Sequence, residues 1–535
     1  MRLEIQESCD VLVVGAGIAG VSAALAAAEE GCSVILASSA GTFSGSSFYP
    51  GTWGLGLVGP ADDGDRRDLE ETIASVGCGM TSPQLVRVFV EGIHPAIKKL
   101  RDMGVKLRRA DHAGEREFIP CFDHKHRDWN GIEFDSAREV LSARMDELGV
   151  ARRPHWEALE LVQREGRVCG AVINAEGRPR YVGCRALVLA SGGYGGIFKY
   201  HLNTEDVAGM GQYLALKAGC TLVNMEFMQM MPGYLRPAPK TIFNEKTFRY
   251  TRLRRADGSP LLEGIANAQE LLEIRSGHGP FTSRLPSREI DLAIFREFIK
   301  DERGVTASYT DDMRRNPPEF VRTYFDWLAR AKGLAMDDTV QLGIFAHAAN
   351  GGVRIAPDAS TGVPGLFACG EVTGGMHGAD RLGGLSTANG LVFGGKAGRS
   401  AALESRASPA PGGVWDFEGW SVPNGEALLE ELRRLMFQNA MLLRTEAGLT
   451  TALERVRAMT AALPRAEAGD MDQAAAGRRL EAQLHTAQAI LRAALLRRES
   501  RGSHYREDYP DMDGGAPRRI LVKNTEGGVA ARYEE

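Results

Sequence analysis

Short apolar runs alternate with glycine clusters along the chain. The first run, residues 10–14 (DVLVV), leads directly into GAGIAG at residues 15–20. An alanine-rich segment follows to about Glu30, and a second apolar run occupies residues 32–36 (CSVIL). Strand, GxGxxG turn, helix and second strand in this order predict a βαβ unit that binds a dinucleotide. The helix N-terminus of such a unit supplies amide donors to a phosphate.

The end of the second strand leaves the identity of the dinucleotide open. An acidic residue usually stands there to hold a ribose hydroxyl. This chain has Ala37, Ser38 and Ser39 instead. The missing acid counts against NAD, although a serine can still bind a ribose.

Two later apolar runs also end in glycines. Residues 186–190 (ALVLA) run into SGGYGG at 191–196, and residues 365–369 (GLFAC) run into Gly370 and Glu371. Three such junctions, far apart in sequence, predict one cofactor site assembled from distant segments. The alternative is three unrelated tight turns.

The apolar pattern and the composition divide the chain into four segments. We predict a cofactor-binding domain in two parts, 1–235 and 341–405, because the glycine junctions fall there. Residues 236–340 are richer in charged and aromatic residues and are predicted to form an inserted domain. Beyond a Pro/Gly-rich linker, residues 406–535 carry leucines at helical spacing and are predicted to be a helical domain.

Composition narrows the classes of partner. The 535 residues are 44% hydrophobic and 25% charged, with a net charge of −5 and interleaved signs, which disfavours nucleic acid. The 8 cysteines occur singly without haem or ferredoxin spacing, so we expect no such group in this chain and a cytoplasmic location. We also expect no signal peptide, no metal site and no membrane span, since glycines interrupt the longest apolar run.

Several motifs together resemble the succinate dehydrogenase/fumarate reductase flavoprotein family. They are, in family order, GAGIAG, SGGYGG, MEFMQ (225–229), PSR (286–288), HAANGGV (347–353), GEVTGGMHGADRLGG (370–384) and RRESRGSHYREDYP (497–510). The L-aspartate oxidase branch looks most similar, because it shares the SCDV opening and GSSFY at 45–49. The resemblance covers nearly the whole chain.

The resemblance implies an α/β fold: a Rossmann-like FAD-binding domain, an inserted α+β capping domain and a C-terminal helical domain. FAD is expected to be non-covalent, because the family's linking histidine would fall at residues 44–47 and the first histidine is His94. Glu371 is expected to hold the FAD ribose, and Ser386 to open a helix that faces the flavin. The predicted cofactor-binding residues are Gly15, Gly17, Ala19, Gly20, Ser38, Ser39, Gly45, Ser46, Ser47, Ser191, Gly192, Gly193, Gly370, Glu371, Arg381, Ser386 and Thr387.

The resemblance also implies three catalytic residues. Arg288 would transfer a proton, while His347 and Arg381 would hold a carboxylate. An arginine is an awkward acid, since its pKa lies above ~12, so Arg288 as an anion clamp or inter-domain ion pair is the alternative. For His347 the alternative is an ordinary core histidine.

The departures from the family pattern concern the substrate. Met231 and Gly233 replace a histidine and a threonine, Asp380 replaces an asparagine, and FNEKTFRY (243–250) does not reproduce the family's segment. We therefore predict that one carboxylate is held while the rest of the substrate is less polar. The predicted pocket residues are Trp53, Met228, Met230, Met231, Tyr234 and His377; the alternative is that the methionines are core.

Three functions remain open at this point. The first is a reductase or dehydrogenase that moves a hydride between flavin N5 and a C–C bond beside a carboxylate. The second is an amino-acid oxidase of the L-aspartate oxidase type, and the third is a subunit that needs an iron–sulfur partner. In each case we expect a small organic acid as substrate and an external electron donor or acceptor, either oxygen or an iron–sulfur protein. The oligomeric state is left open, and Arg501 and His504 are expected to be structural.

Overall fold

The computed structural model describes residues 1–112 and 118–535. Over these residues the helices are α1 Ile18–Glu29, α2 Asp65–Val76, α3 Pro83–Met103, α4 Phe134–Glu147, α5 Met210–Lys217, α6 Ala268–Arg275, α7 Arg288–Lys300, α8 Asp311–Arg315, α9 Glu319–Lys332, α10 Leu385–Ala407, α11 Gly425–Ala440, α12 Glu446–Ala461 and α13 Met471–Leu496. No helix in this part of the chain is both long enough and apolar enough to span a bilayer.

The strands form five sheets in the same part of the chain. They are β1 Arg2–Val14, β2 Val34–Ser38, β3 Leu55–Gly59, β4 Leu107–Arg108, β5 Asp128–Ile132, β6 Ala151–Pro154, β7 Trp156–Arg164, β8 Arg167–Ala175, β9 Arg178–Leu189, β10 Leu222–Val223, β11 Met228–Arg236, β12 Thr251–Arg254, β13 Val305–Tyr309, β14 Val340–Ala349, β15 Gly352–Arg354, β16 Leu366–Ala368, β17 Thr373–Gly374, β18 Val414–Asp416, β19 Trp420–Ser421, β20 Ala466–Glu467, β21 Ile520–Thr525 and β22 Gly528–Tyr533.

The largest sheet has a parallel core in the order β6-β2-β1-β9, with β16 also on β9. The three apolar runs that end in glycine junctions lie in it, in β1, β9 and β16. Strands buried on both faces read as continuous apolar runs, and Val11, Leu12 and Val13 are 0% exposed. The predicted α/β fold class with a Rossmann-like unit is confirmed.

Glycines let α1 and α10 pack with their backbones in contact. A side chain at Gly394 would lie 2.5 Å from the Ala19 carbonyl oxygen, and one at Gly398 would lie 2.2 Å from that of Ala23. Only glycine fits such an approach. The N-terminal ends of both helices are therefore held at the edge of the parallel sheet.

The predicted insert contains helices α6 to α9 and one antiparallel sheet of order β11-β14-β13-β12. Because β11 begins at Met228 and β14 ends at Ala349, this sheet extends past residues 236 and 340 on both sides. The domain boundaries proposed from the sequence stay a prediction, but the two ends of the insert are paired strands rather than linkers.

The C-terminal segment is helical, as predicted, but not entirely. The leucine pattern falls in α11 and α13, whereas β21 and β22 form a hairpin that pairs with β10. Residues 525–528 (TEGG) between the two strands carry the turn signal that reveals this hairpin. Arg501 and His504 are buried, with hydrogen bonds to Glu499 and Arg444, and neither lines the large cavity described below.

A buried ion pair holds the cap together. Arg275 at the end of α6 binds Asp291 in α7 through Nε at 2.7 Å and Nη2 at 3.0 Å, and both side chains are fully buried. Arg275 also donates to the carbonyl oxygens of His278 and Gly279. The pair therefore joins two helices to the loop at 278–280.

Replacing Asp291 by Asn should destabilise the protein by about 3–5 kcal/mol, because it leaves the Arg275 charge buried and uncompensated. Urea unfolding monitored by circular dichroism measures this. Asp301→Asn is the matched control, since it removes a carboxylate from the exposed pair with Arg303, and it should leave the midpoint unchanged. Equal midpoints for the two variants would contradict the assignment.

Candidate active site

Two adjoining cavities lie at the edge of the parallel sheet. The larger has a volume of about 350 Å³ and lies between the helix ends, the β3–β5 pair and the capping sheet. The smaller, of about 100 Å³, lies beside the glycine turn after β1. Ala19, Ser46, Ser47 and Glu371 line both cavities, so the two form one elongated site.

The smaller cavity has the properties of a phosphate site. Gly15 has a φ of 110°, and a side chain there would lie 2.3 Å from the Ala190 carbonyl oxygen. A side chain at Gly20 would lie 1.7 Å from the carbonyl oxygen of Gly15. The cap of α1 is Gly17, which has no side chain to bind the helix's first amides. The helix N-terminus is therefore open to an anion.

Polar groups lie at both ends of this smaller cavity. Ser191 Oγ is buried and has no hydrogen-bond partner among the described residues. Ser39 Oγ donates to the Asp206 carboxylate at 3.3 Å. Asp206, from a distant loop, thus supplies the carboxylate that sequence reasoning did not find at the end of the second strand. Only the folded chain brings it there.

Most predicted cofactor-binding residues line the two cavities. Those in the walls are Gly15, Gly17, Ala19, Ser38, Ser39, Gly45, Ser46, Ser47, Ser191, Gly192, Gly370, Glu371, Arg381, Ser386 and Thr387. Gly20 and Gly193 lie behind the wall, where their lack of a side chain permits close packing. A side chain at Gly193 would lie 2.5 Å from Glu371 Oε1.

Glu371 lies where the two cavities meet. Its Oε1 accepts the Ala349 N–H at 2.9 Å, and burial raises its pKa. A carboxyl group in this position can bind a hydroxyl of a ligand that extends through both cavities.

A β-bulge places His347 in the larger cavity. In the β11–β14 pairing, Gln229 lies opposite Ala348 and Met230 opposite Ala346, so His347 is the extra residue. A bulge re-aims its side chain and is common beside active sites. The His347 carbonyl is held by Asn203 Nδ2 at 2.9 Å, while its ring Nδ1 has no partner in the described structure.

Arg381 is the cation that acts on both histidines of the cavity. Its Nε donates to Gln229 Oε1 at 3.0 Å. Loss of hydration, together with the charge of Arg381, lowers the pKa of His347 and of His377 to about 3. Both histidines are therefore neutral at physiological pH and lie near a charged guanidinium. This arrangement can bind one carboxylate.

Arg288 does not join this group. Its guanidinium binds the Ser283 and Pro510 carbonyl oxygens over the Tyr505 ring, in a separate shallow surface depression. Arg288 is the first residue of α7, and the Arg275–Asp291 pair fixes that helix away from the cavity. The predicted role of Arg288 in proton transfer is not supported by this position. An inter-segment hydrogen-bonding role, close to the alternative weighed from the sequence, fits the contacts.

The predicted pocket residues separate into two sets. Trp53, Met231 and His377 line the large cavity. Met228, Met230 and Tyr234 do not, and each is at most 1% exposed in the core. Side chains alternate between the two faces of a strand, so Gln229 and Met231 lie on the side of the site while their neighbours face away.

The less polar end of the cavity is aromatic. Trp53 packs edge-on against Phe320 with ring centroids 5.3 Å apart, and Trp129 also lines this end. The Arg108 guanidinium lies 5.1 Å above the Trp129 ring. Sequence reasoning found Trp53 alone, because Trp129 and Phe320 lie in segments without a motif.

Sequence reasoning also missed the segment that follows β11. Glu245 and Lys246 line the large cavity, as does Cys121, whose thiol donates to Glu245 Oε1 at 3.1 Å. The FNEKTFRY segment departs from the family pattern, yet it reaches the site.

Comparisons with known proteins agree with this geometry. The FAD binding domain family matches residues 10–263 and 291–387, and the fumarate reductase flavoprotein C-terminal family matches residues 429–529. One chain of the fumarate reductase (CoM/CoB) of Methanothermobacter marburgensis is 28% identical over 98% of each sequence. The L-aspartate oxidase of Mycobacterium leprae is 30% identical over 99% of this chain and 98% of its own.

A solved structure has the same fold. Sdh1 of Mycobacterium smegmatis in complex with UQ1 superposes with a TM-score of 0.80 at 25% identity, covering 99% of this chain and 94% of that chain. The protein is thus an FAD-dependent oxidoreductase. It belongs to the succinate dehydrogenase/fumarate reductase flavoprotein family, with L-aspartate oxidases among its relatives, as the motifs indicate.

Replacing Gly20 by Ala should raise the Kd for FAD at least about tenfold, because relieving the overlap with Gly15 shifts the phosphate-binding turn, and overpacking of this kind costs ~1–3 kcal/mol. The FAD-to-protein ratio after gel filtration reports the loss. Gly41→Ala adds the same methyl group where nothing lies within 4 Å and should retain FAD. Full FAD occupancy of the Gly20 variant would exclude this assignment.

The neutral histidines predict acid sensitivity. For a histidine whose folded pKa is about 3, stability is fully present above the unfolded value of 6.5 and is lost as pH falls toward 3. His377→Gln should therefore remove about 2 kcal/mol of the stability difference between about pH 7 and about pH 5. Urea unfolding of the FAD-free protein at the two pH values tests this, and an identical difference in both proteins would count against a neutral His377.

Proposed function

We propose that this enzyme oxidises or reduces a small organic acid at a C–C bond beside its carboxylate. The observation that carries the proposal is the single guanidinium of Arg381, placed with two neutral histidines in one wall of a cavity whose other end is aromatic. One carboxylate fits the polar end. A second carboxylate has no matching arginine in the described walls beyond Arg108, which lies against Trp129.

Arg381 binds and orients the carboxylate. Because Gln229 holds its Nε, the guanidinium plane is fixed, and its terminal nitrogens have no partner among the described residues. A fixed guanidinium can bind a carboxylate with two parallel hydrogen bonds. His347 and His377 can each donate one further hydrogen bond without adding charge.

The aromatic end selects the rest of the substrate. Trp53, Trp129 and Phe320 present mainly ring surface to the cavity. Buried apolar surface favours an apolar substituent there by ~25 cal/mol per Å². An acid with an alkyl or aryl substituent fits better than succinate, fumarate or aspartate.

The walls of the two cavities fit FAD. The glycine turn and the open end of α1 receive the pyrophosphate, Asp206 and Glu371 lie where hydroxyl groups need acceptors, and Ser386 lies in the first turn of α10. When bound, FAD supplies the acceptor or donor of the hydride. We propose that it is bound without a covalent link, since residues 44–47 (SGSS) contain no histidine.

Two electron partners are compatible with the family. The M. marburgensis relative is one of the chains of its enzyme, which favours an external iron–sulfur protein as electron donor or acceptor. The L-aspartate oxidase relative favours the second candidate function, an amino-acid oxidase that passes electrons to oxygen. Hydrogen peroxide formed in step with turnover would identify the second. We place the protein in the cytoplasm, because all 8 cysteines are free thiols.

Replacing Arg381 by Met should lower kcat/KM by at least about a hundredfold, because the carboxylate loses a charge-assisted bidentate contact worth roughly 3 kcal/mol. Steady-state assays with a panel of alkyl- and aryl-substituted enoic acids measure it. Arg288→Met removes an arginine outside the cavity and should stay within a few-fold of wild type. A normal Arg381 variant would refute the clamp, and robust turnover of fumarate, succinate or L-aspartate would refute the proposed substrate class.

A further inference from the structure

Lys246 lies in the wall of the active-site cavity without a partner. It belongs to the turn Glu245–Tyr250, whose cap Asn244 accepts the Lys246 backbone N–H at 2.9 Å. The residue is 7% exposed, and its ammonium has no hydrogen bond or ion pair with any residue the structure describes. A buried ammonium without a partner is costly. Its position in the cavity wall gives it a partner only when a ligand is present.

Lys246 and Arg381 lie at the same end of the cavity. The Cys121 thiol interacts electrostatically with the charges of both residues, so it lies near each of them. Glu245 does not pair with Lys246, because its carboxylate accepts the Cys121 thiol. An acid held by Arg381 therefore has the Lys246 ammonium beside it.

The other titratable groups in this wall are poor proton donors at neutral pH. His347 and His377 are deprotonated, with pKa values of about 3. Burial raises the pKa of Cys121 to about 12. An arginine holds its proton more tightly than a lysine does. Glu371 binds the Ala349 amide at the junction with the smaller cavity.

We propose that Lys246 is the catalytic proton donor of this enzyme, which deepens the function proposed above and rests on it. In the reductive direction the C=C bond beside the carboxylate gains a hydride at the β-carbon, and two-electron-reduced FAD is the source of that hydride. The α-carbon takes a proton from the Lys246 ammonium. The resulting neutral amine recovers a proton from water, and oxidation of the saturated acid runs through the same steps in reverse.

The test uses the FAD-loaded protein, reduced anaerobically with dithionite and mixed with crotonate or cinnamate. Lys246→Met should slow flavin reoxidation at saturating acid by about 10²–10⁴-fold, the usual contribution of a general acid. The Kd of the acid, read from the absorbance change of the oxidised flavin, should stay within a factor of about three. The solvent deuterium isotope effect on the wild-type rate should change in the variant.

Two further variants separate proton transfer from charge. Lys246→Arg keeps the positive charge but not the exchangeable ammonium, so it should not restore the rate. Lys98→Met removes an exposed lysine on α3 and should match wild type. FAD content and circular dichroism verify that each variant is folded.

The opposite results overturn the assignment. A raised Kd with an unchanged saturating rate, or full rescue by Lys246→Arg, would make Lys246 an anion-binding residue instead. If wild-type reduced flavin reacts with no acid of this class, the proposed function fails first and the role of Lys246 fails with it. That failure is seen in the wild-type protein alone, so the two are distinguishable.

Discussion

The pairing of β11 with β14 is the constraint on which the site depends. The two strands enter and leave the inserted segment, so their hydrogen bonds fix the cap relative to the parallel sheet. The register also decides which side chains face the site. Gln229 reaches Arg381 and Met231 lines the cavity, while the bulge turns His347 toward the same space. A shift of one residue would move these side chains to the opposite face.

The charge distribution follows from this framework. Gln229 orients Arg381, which comes from the loop before α10, and Arg381 in turn favours the neutral form of both histidines. One strand, one bulge and one helix end thus produce a site with a single strongly held guanidinium. The polar end of the cavity is rigid because each member is held by backbone that belongs to a paired or packed element.

Local patterns predicted the cofactor half of the site better than the substrate half. The glycine turn works through backbone geometry within a few residues, so GAGIAG was sufficient for it. Arg288 was misplaced because a motif gives sequence position, while the Arg275–Asp291 pair determines where α7 lies. Asp206 and Lys246 were missed because their roles arise from contacts between segments far apart in sequence. The bulge at His347 likewise depends on its partner strand.

The aromatic wall has a consequence for how such enzymes diverge. Phe320 belongs to α9, whereas Gln229, His347 and Arg381 belong to other elements. Residues that recognise the acid and residues that recognise its substituent are therefore inherited on separate pieces of chain. Substitutions on one face of a single helix can alter the range of acids accepted while the reacting end stays intact, which gives this architecture room to acquire new substrates gradually.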